Sequence, residues 1–230
     1  MSTIAENLRS VRSRIEQAAE RAGRDPADIK LVAATKDVTA ELILEAIKAG
    51  LTDIGENRVQ EAEKKFGLLK EHPVTWHMIG HLQTNKVKSA LEIFSVIQSV
   101  DSERLADEIS QRAQKNVKVF IEVNTSGEES KFGIKPEGTA ELANSISGLP
   151  NLKLTGLMMM GPLTSNESDI RKSFRLLKDI FDQIKGLNLP SVELKYLSMG
   201  MSDDFEAAIE EGSNLVRIGR AIFGIEHHKQ

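Results

Sequence analysis

Short apolar segments alternate with amphipathic segments along nearly the whole chain, and this alternation constrains the fold more than any other feature. Each apolar segment has the length of a buried strand, and each amphipathic segment places apolar residues at the three- and four-residue spacing of a helix. The predicted strands cover residues 30–36, 52–54, 74–79, 94–97, 117–123 and 152–158, with a seventh ending at residue 198 and an eighth ending at residue 219.

Strands that alternate with helices predict parallel strands joined by right-handed crossovers. Eight such units indicate a closed (β/α)8 TIM barrel, and 230 residues lie near the short end of the usual range of roughly 200–400. A doubly wound open sheet is the alternative, but eight strands without an obvious second domain favour closure. We expect one domain over residues 1–230, with an extra N-terminal helix within residues 1–24 packed on the barrel.

The composition excludes several classes of function. The chain has no cysteine, which excludes disulfides, zinc–thiolate sites and cysteine nucleophiles. Its net charge is −4 and its basic residues are dispersed, so nothing favours nucleic-acid binding. The N-terminus lacks an apolar signal core, and no apolar run approaches the roughly 18 residues of a membrane span. A cytoplasmic protein without nucleic-acid or membrane partners is expected.

Two loops rich in glycine follow the last two strands: Leu197-Ser-Met-Gly-Met-Ser-Asp-Asp204 and Arg217-Ile-Gly-Arg-Ala-Ile-Phe-Gly224. Backbone N–H groups at strand–helix turns bind phosphate, and in barrels phosphate often lies after strands seven and eight. Alternatively, Ser202 is only the N-cap of a helix over residues 203–211, with two aspartates favouring the helix dipole. Two suitable turns at the same end of the barrel favour a phosphate site.

Lys36 ends the first strand and therefore lies at the same end of the barrel as the two loops. A desolvated lysine amine can form a Schiff base with a carbonyl group. Its position alone, however, favours an ordinary surface lysine at a strand end. We keep both interpretations at this point.

Arg217 lies two residues before Gly219 in strand eight, so both point to the same side. If that side is the barrel lumen, the buried guanidinium needs an acceptor, either a carboxylate such as Glu122 or Glu56 or an atom of a ligand. Asn57 follows strand two and could simply cap the next helix, with a glutamine three residues later completing a capping box.

Other candidate residues favour packing over chemistry. His77 and His81 fall on a strand and a loop rather than on one helix face, so a metal pair is not expected. We expect the methionines at 158–160 to pack in the core, with at least one lining the floor of a pocket. No serine–histidine–aspartate arrangement is visible.

Five motifs occur in order along the chain: Ala33-Ala-Thr-Lys36, Gly55-Glu-Asn-Arg-Val-Gln-Glu61, Trp76-His-Met-Ile-Gly-His-Leu-Gln-Thr-Asn-Lys86, Leu197-Ser-Met-Gly-Met-Ser-Asp-Asp204 and Val216-Arg-Ile-Gly-Arg-Ala-Ile-Phe-Gly224. Together they resemble the pyridoxal-phosphate homeostasis proteins over nearly the whole chain. These are single-domain barrels similar to the N-terminal domain of alanine racemase, which places them among the fold type III pyridoxal-phosphate proteins.

The resemblance implies pyridoxal 5′-phosphate as the cofactor and no metal. It implies these cofactor-binding residues: Lys36 as the Schiff base, Asn57, Ser198, Met201, Ser202, Arg217, Gly219 and Arg220. The phosphate would lie on Ser198, on the backbone and hydroxyl at 201–202 and on the backbone at 219–220. Arg217 would face the pyridine nitrogen, and Asn57 would lie beside the ring.

The chain departs from the family pattern at two places. Position 220 is arginine where threonine is frequent, so a phosphate contact from that side chain is not implied even if its N–H contact is kept. The residues after Lys36 are Asp37-Val38-Thr39, where lysine or proline often occurs, which alters the rim of the pocket.

An arginine at the pyridine nitrogen disfavours protonation of the ring and weakens it as an electron sink. Racemisation also needs acid–base groups on both faces, and the tyrosine that serves alanine racemase has no clear counterpart, because Tyr196 lies below the phosphate loop. We therefore expect a monomeric protein that binds, buffers and delivers pyridoxal phosphate, affecting amino-acid and keto-acid balance, with transient contact with apo-enzymes. The alternatives are a weak amino-acid racemase and a Schiff-base aldolase that uses Lys36 on a sugar phosphate.

Overall fold

A computed structural model describes residues 3–128, 130–162 and 164–224. Within these residues, eight parallel strands pair in sequence order, and the first pairs with the last to close a barrel. The strands are β1 (Lys30–Ala34), β2 (Asp53–Glu56), β3 (Thr75–Met78), β4 (Val96–Val100), β5 (Val117–Glu122), β6 (Leu152–Met158), β7 (Val192–Ser198) and β8 (Leu215–Ile218). The predicted TIM barrel is confirmed.

Helices precede β1 and follow each strand. In the described residues they are α1 (Ile4–Arg21), α2 (Ala40–Lys48), α3 (Val59–Leu69), α4 (Val87–Ile93), α5 (Glu103–Arg112), α6 (Thr139–Ser147), α7 (Glu167–Gly186), α8 (Phe205–Glu210) and α9 (Arg220–Phe223), with 3-10 turns at Pro26–Asp28, Thr84–Lys86 and Pro136–Gly138. None of the described helices is long and apolar enough to cross a membrane.

Several predicted boundaries are wrong. β1 ends at Ala34 and not at residue 36, and β2 extends to Glu56 instead of ending at residue 54. The fourth strand covers Val96–Val100 instead of residues 94–97, because Phe94 caps α4 and packs its ring edge-on against Trp76. The helix predicted over residues 203–211 begins at Phe205, with Asp204 rather than Ser202 at its N-cap. A short apolar run and a serine before an acidic pair are local signals that tertiary contacts can override.

The core has two parts. The outer layer lies between strands and helices, where Trp76 of β3 packs against Phe66 of α3 with ring centroids 5.5 Å apart. The lumen of the barrel holds a much smaller apolar group, in which five different strands meet. This lumen cluster consists of Val32, Val96, Phe120, Met158 and Leu215, with Tyr196 packed against it. Most of the apolar burial therefore lies between the strands and the surrounding helices.

Helix α1 packs over α8 and α9, the two short helices that follow the last two strands. The Arg14 guanidinium donates to both carboxylate oxygens of Glu206 at 2.8 and 2.9 Å, and the Asn7 amide donates to the Ile222 carbonyl at 2.9 Å. The expected domain of residues 1–230 extends at both ends beyond the described residues.

Candidate functional site

A cleft at the C-terminal mouth of the barrel has two lobes that share the wall formed by Lys36, Asn57, Ile79 and Met160. The inner lobe, about 280 Å³, is bounded by the loops after β7 and β8. The outer lobe, about 640 Å³, lies toward the ends of β2, β3 and β5. Together they are large enough for a small organic ligand or cofactor.

Seven of the eight residues expected at the cofactor site line the inner lobe. They are Lys36, Asn57, Met201, Ser202, Arg217, Gly219 and Arg220. They come from the ends of β1, β2, β7 and β8, which are far apart in the chain and meet only because the barrel closes. Ser198 is the exception and lines neither lobe.

Lys36 follows β1 by two residues, and the backbone immediately before it is fixed. The Lys65 amine donates to the Thr35 carbonyl and to Glu56 Oε1, both at 2.7 Å, and the Thr35 hydroxyl donates to the same oxygen at 2.6 Å. Burial raises the pKa of the fully buried Glu56, and these hydrogen bonds oppose that rise. Lys36 itself keeps 37% of its side chain exposed. The backbone next to Lys36 is therefore fixed, while its amine is accessible from the cleft.

Asn57 is not a helix cap. Helix α3 begins at Val59 with Arg58 at its N-cap, and no side chain caps it. The capping-box alternative is therefore excluded, and the Asn57 side chain belongs to the wall that the two lobes share.

Two glycines allow the loops to approach the rest of the barrel. Gly200 has a φ of +96°, and a Cβ there would lie 2.6 Å from Ala208 Cβ. A Cβ at Gly219 would lie 2.8 Å from the Ala34 carbonyl oxygen. Side chains are therefore excluded at both positions: Gly200 lets its loop pack against α8, and Gly219 lets its loop approach the end of β1, two residues before Lys36.

Several hydrogen-bond donors face the inner lobe. The Ser202 hydroxyl makes no hydrogen bond to the rest of the described chain, and Arg220 and Ala221 fall in the first turn of α9, where N–H groups lack helical acceptors. The Met201 N–H, in contrast, donates to Asp204 Oδ1 at 2.6 Å. Burial raises the pKa of Asp204, and the hydrogen bond from Met201 opposes this.

The Arg220 side chain is turned toward the rim, where its guanidinium pairs with the carboxylate of Asp203. Both side chains are largely exposed to solvent. The guanidinium is therefore engaged at the rim, and a phosphate contact from the N–H at position 220 stays a prediction. The ion pair also joins the loop after β7 to the loop after β8.

Arg217 lies in the lumen, but the carboxylate acceptors considered for it are wrong. Its Nη1 donates to the Ser198 carbonyl at 2.9 Å and to Ser198 Oγ at 2.6 Å, and its Nη2 donates to the Met159 carbonyl at 2.6 Å. Burial lowers the pKa of Arg217 to about 10, while the charges of Glu122 and Asp204 act to raise it. The residue is therefore a buried cation at neutral pH.

Ser198 is fully buried, and its hydroxyl is already engaged. It accepts from Arg217 and donates to Gln98 Oε1 at 2.7 Å. Ser198 therefore orients Arg217 from the buried side, away from the inner lobe. The resemblance instead implies that Ser198 contacts the phosphate. The signal for this was available in part, since Ser198 and Tyr196 share a strand face and Tyr196 stacks on Phe120 in the lumen at 5.8 Å.

Glu122 is a residue of the cleft that the sequence analysis considered only as a partner for Arg217. It ends β5, lines the outer lobe and is 4% exposed, and its Oε2 is buried without a hydrogen-bond partner among the described residues. Burial and the neighbouring Asp101 raise its pKa to about 7, whereas Arg217 lowers it. An acidic residue two positions after lumen-facing Phe120 was the available signal.

The remaining candidates make packing and ring contacts. His81 stacks on Phe132 at 4.0 Å and faces Asp101, and no group of histidine, aspartate and glutamate in the described part of the chain is placed to hold a metal. Met158 and Met159 are buried, and Met160 lines both lobes of the cleft. One methionine of the three therefore faces the pocket, as expected.

Comparison with known proteins places the chain in a family. The profile of the family described as alanine racemase, N-terminal domain, matches residues 4–227. A pyridoxal phosphate homeostasis protein of Aquifex aeolicus is 48% identical over 95% of this chain and 96% of its own length. A protein of the same name from Escherichia coli is 39% identical, with both chains covered in full.

Solved structures agree with this assignment. PipY of Synechococcus elongatus, in a structure with PLP bound, superposes with a TM-score of 0.85 at 33% identity, over 96% of this chain and all of PipY. Alanine racemase of Clostridium difficile has a TM-score of 0.73 at 16% identity, which shows the fold alone, and the match covers 97% of this chain but 56% of that enzyme. The chain therefore belongs to the alanine racemase N-terminal domain family.

Proposed function

We propose that this protein binds pyridoxal 5′-phosphate in the inner lobe, with the Lys36 amine bonded to the aldehyde carbon of the cofactor, and serves cofactor homeostasis. The observation that carries the proposal is the meeting of Lys36, Arg217 and Ser202 in one lobe. At the mouth of the barrel, the amine suits the aldehyde of this cofactor, the buried cation suits its pyridine nitrogen, and the free hydroxyl suits its phosphate.

The donor set fits the phosphate in particular. The free Ser202 hydroxyl and the first-turn N–H groups of α9 supply donors to an anion, and Arg217 adds positive charge in the same lobe. The orphaned carboxyl of Glu122 in the outer lobe adds a polar group that a ligand would satisfy. The residues present therefore suit the cofactor.

When bound, pyridoxal phosphate supplies an electrophilic carbon and a ring that withdraws electrons from groups attached to that carbon. Arg217 lines the inner lobe and stays protonated at neutral pH, because its pKa of about 10 is still well above 7. A ring nitrogen placed against Arg217 would be disfavoured from taking up a proton, which would weaken the electron-withdrawing capacity of the ring. This favours binding and delivery of the cofactor over efficient turnover of amino acids.

The role in homeostasis comprises binding, buffering and delivery, with an effect on amino-acid and keto-acid balance. The names of the relatives support this proposal, as does the PLP-bound structure of PipY. We include in it a cytoplasmic location, a monomeric state and transient contact with apo-enzymes that receive the cofactor. Light scattering after gel filtration measures the oligomeric state, and a dimer would remove that part of the proposal.

The decisive experiment is the absorbance spectrum of the purified protein after incubation with pyridoxal phosphate, before and after borohydride treatment. We expect a visible band that Lys36→Ala abolishes, and mass spectrometry should map the reduced adduct to residue 36. Lys86→Ala is the matched control, because Lys86 lines only the outer lobe. A colourless wild-type protein would reject the proposal and return the aldolase alternative.

Delivery is tested with an apo-enzyme that requires the cofactor. The loaded protein should restore its activity in mixture, and the rate should be compared across a dialysis membrane that separates the two proteins. Faster restoration in direct mixture supports contact. Equal rates would show that release into solution is sufficient.

One observation favours a second candidate function, a weak pyridoxal-phosphate-dependent racemase. Glu122 lines the same outer lobe as Lys36, and burial lets its carboxyl hold a proton close to neutral pH. It thereby offers a second acid–base group, which Tyr196 in the lumen cluster cannot supply. Exchange of the α-proton of an amino acid in deuterium oxide, reduced in Glu122→Gln, would support this function, and silence across an amino-acid panel would reject it.

A further inference from the structure

A continuous path of hydrogen-bonded polar side chains crosses the barrel lumen. It begins at the start of β1 and β2, where the Lys30 amine donates to both oxygens of Asp53 at 3.2 Å. His77 Nε2 lies 2.9 Å from Asp53 Oδ1, and His77 Nδ1 lies 3.0 Å from Gln98 Nε2. We call the members the lumen path: Lys30, Asp53, His77, Gln98, Ser198 and Arg217.

The path continues to the cofactor end of the barrel. The Ser198 hydroxyl donates to Gln98 Oε1 at 2.7 Å, and Arg217 Nη1 donates to Ser198 Oγ at 2.6 Å. Between Asp53 and Arg217 every member is at most 3% exposed. Buried polar groups on five strands are costly unless fully paired, and here each finds its partner in the next.

The donors and acceptors of the path allow only one direction. Ionised Asp53 can only accept, so His77 donates from Nε2 and its Nδ1 accepts from the Gln98 amide. Gln98 then presents its carbonyl oxygen to Ser198, whose oxygen is left to accept from Arg217. Burial lowers the pKa of His77, and hydrogen bonds from His77 and Thr52 hold the pKa of Asp53 low against the opposing effect of burial. Both shifts favour the neutral histidine and charged aspartate that this direction requires.

The path determines which donor Arg217 can offer to a ligand. Its two terminal nitrogens make four contacts: with the carbonyl and hydroxyl of Ser198, the carbonyl of Met159 and, at 3.6 Å, the sulfur of Met160. Nε–H is the one donor of this guanidinium without a partner among the described residues. Arg217 lines the inner lobe, and its orientation there depends on Ser198 at Nη1 and on Met159 at Nη2.

We propose that Gln98 and His77 are positioning residues that keep Arg217 fixed toward the ligand of the inner lobe. Neither residue lines the cleft. Both act through Ser198, whose hydroxyl is oriented by the hydrogen bond that it donates to Gln98. The proposal rests on the proposed function for the identity of the ligand, while the path itself is independent of it. It explains polar residues in a lumen that apolar side chains could fill.

The test uses Gln98→Met, which conserves volume but cuts the path, with Ser99→Ala as the matched control. Ser99 is the next residue on β4, and its buried hydroxyl has no partner among the described residues. We expect Gln98→Met to raise the Kd for pyridoxal phosphate about tenfold and to shift the absorbance maximum of the lysine-bound cofactor. Ser99→Ala should leave both unchanged.

A second pair of variants separates positioning from general loss of packing. His77→Gln keeps one donor and one acceptor, whereas His77→Leu keeps neither. We expect His77→Gln to resemble the wild-type protein in absorbance maximum and His77→Leu to resemble Gln98→Met. This pair also serves if Gln98→Met does not fold.

The outcomes distinguish the two proposals. A wild-type protein that neither binds pyridoxal phosphate nor yields a reduced adduct at residue 36 would reject the proposed function. Binding by the wild type with the same Kd and the same absorbance maximum in Gln98→Met, His77→Leu and Ser99→Ala would reject the positioning role alone. Unfolding of the ligand-free variants in urea shows which of them are folded and comparable.

Discussion

The outer layer and the lumen of this barrel differ in the polarity of the side chains that fill them. Between strands and helices the chain packs aromatic and aliphatic side chains such as Trp76 and Phe174, and the buried carboxylate of Glu56 is paired there with Lys65 of α3. The lumen holds the small lumen cluster, and the lumen path and Glu122 occupy much of the rest. Apolar burial stabilises a fold without regard to direction, whereas paired polar groups specify orientation. The outer layer thus contributes mainly to stability, and the lumen contributes mainly to function.

The largest expected effect comes from a cavity in the outer layer. Phe174 of α7 is fully buried, so Phe174→Ala should lower the free energy of unfolding by about 3–5 kcal/mol. Leu176→Ala on the same helix is the control, because Leu176 is 38% exposed. Urea unfolding measures both. The Kd for pyridoxal phosphate should stay unchanged in the folded variant. A rise in the Kd would show that the outer layer also affects ligand binding.

A lumen substitution should have the opposite sign. The pKa of Glu122 is about 7 in the fold, against a usual value of 4.5. Between these values the unfolded chain has lost the proton that the fold retains, so stability falls as pH rises from about 4.5 to 7 and then levels off. Glu122→Gln should remove this slope and stabilise the protein by up to about 3 kcal/mol above pH 7, with no gain near pH 4.

Urea unfolding at a series of pH values checks this prediction. Glu137→Gln, which replaces an exposed carboxylate, is the control and should leave the slope unchanged. A wild-type slope that survives in Glu122→Gln would show that another group produces it.

At the mouth, Ser202→Ala should weaken ligand binding without affecting the fold. The hydroxyl caps no helix and has no partner among the described residues, so in the proposed binding mode its loss removes only a contact to the phosphate. We expect the Kd to rise about tenfold, with an unchanged urea midpoint for the ligand-free protein. Ser10→Ala on the exposed face of α1 is the control for both measurements. Equal Kd values in the two variants would remove Ser202 from the phosphate site.

The smallest effect is expected at the rim. Arg220→Thr removes the exposed ion pair with Asp203, which is worth less than about 1 kcal/mol, and keeps the N–H at position 220. The Kd for pyridoxal phosphate should change less than about threefold, as measured by titration of the visible band. A larger rise would show that the guanidinium reaches the ligand.

Periodicity was sufficient to predict the fold, because each of eight units repeats the same apolar pattern whatever its neighbours are. Lys36, Ser202 and Gly219 could be predicted at the mouth for a related reason, since parallel strands all end on one face. The partners of Arg217 could not. Its acceptor Ser198 is set by how β7 and β8 pair, and the hydrogen bond from Ser198 to Gln98 of β4 crosses the lumen.

Glu122 shows the same limit in another form. Its position at the end of β5 could be read from the sequence, but its unpaired oxygen depends on every side chain that surrounds it. The start of α8 also escaped prediction, because Asp204 accepts from the Met201 N–H and takes the place expected for Ser202. Local sequence preferences indicate candidate residues for a role. Contacts in the folded structure determine which of these residues takes it.

The pairing of β1 with β8 has a consequence for synthesis on the ribosome. Lys36 is translated early, whereas Ser202, Arg217 and Gly219 emerge only after six further strands. Helix α1 likewise cannot reach α8 and α9 until those residues exist. Contacts between such distant parts of a chain form late. A nascent or truncated chain therefore carries Lys36 without the loops after β7 and β8, and on the proposed function the cofactor would be captured only when the barrel is closed.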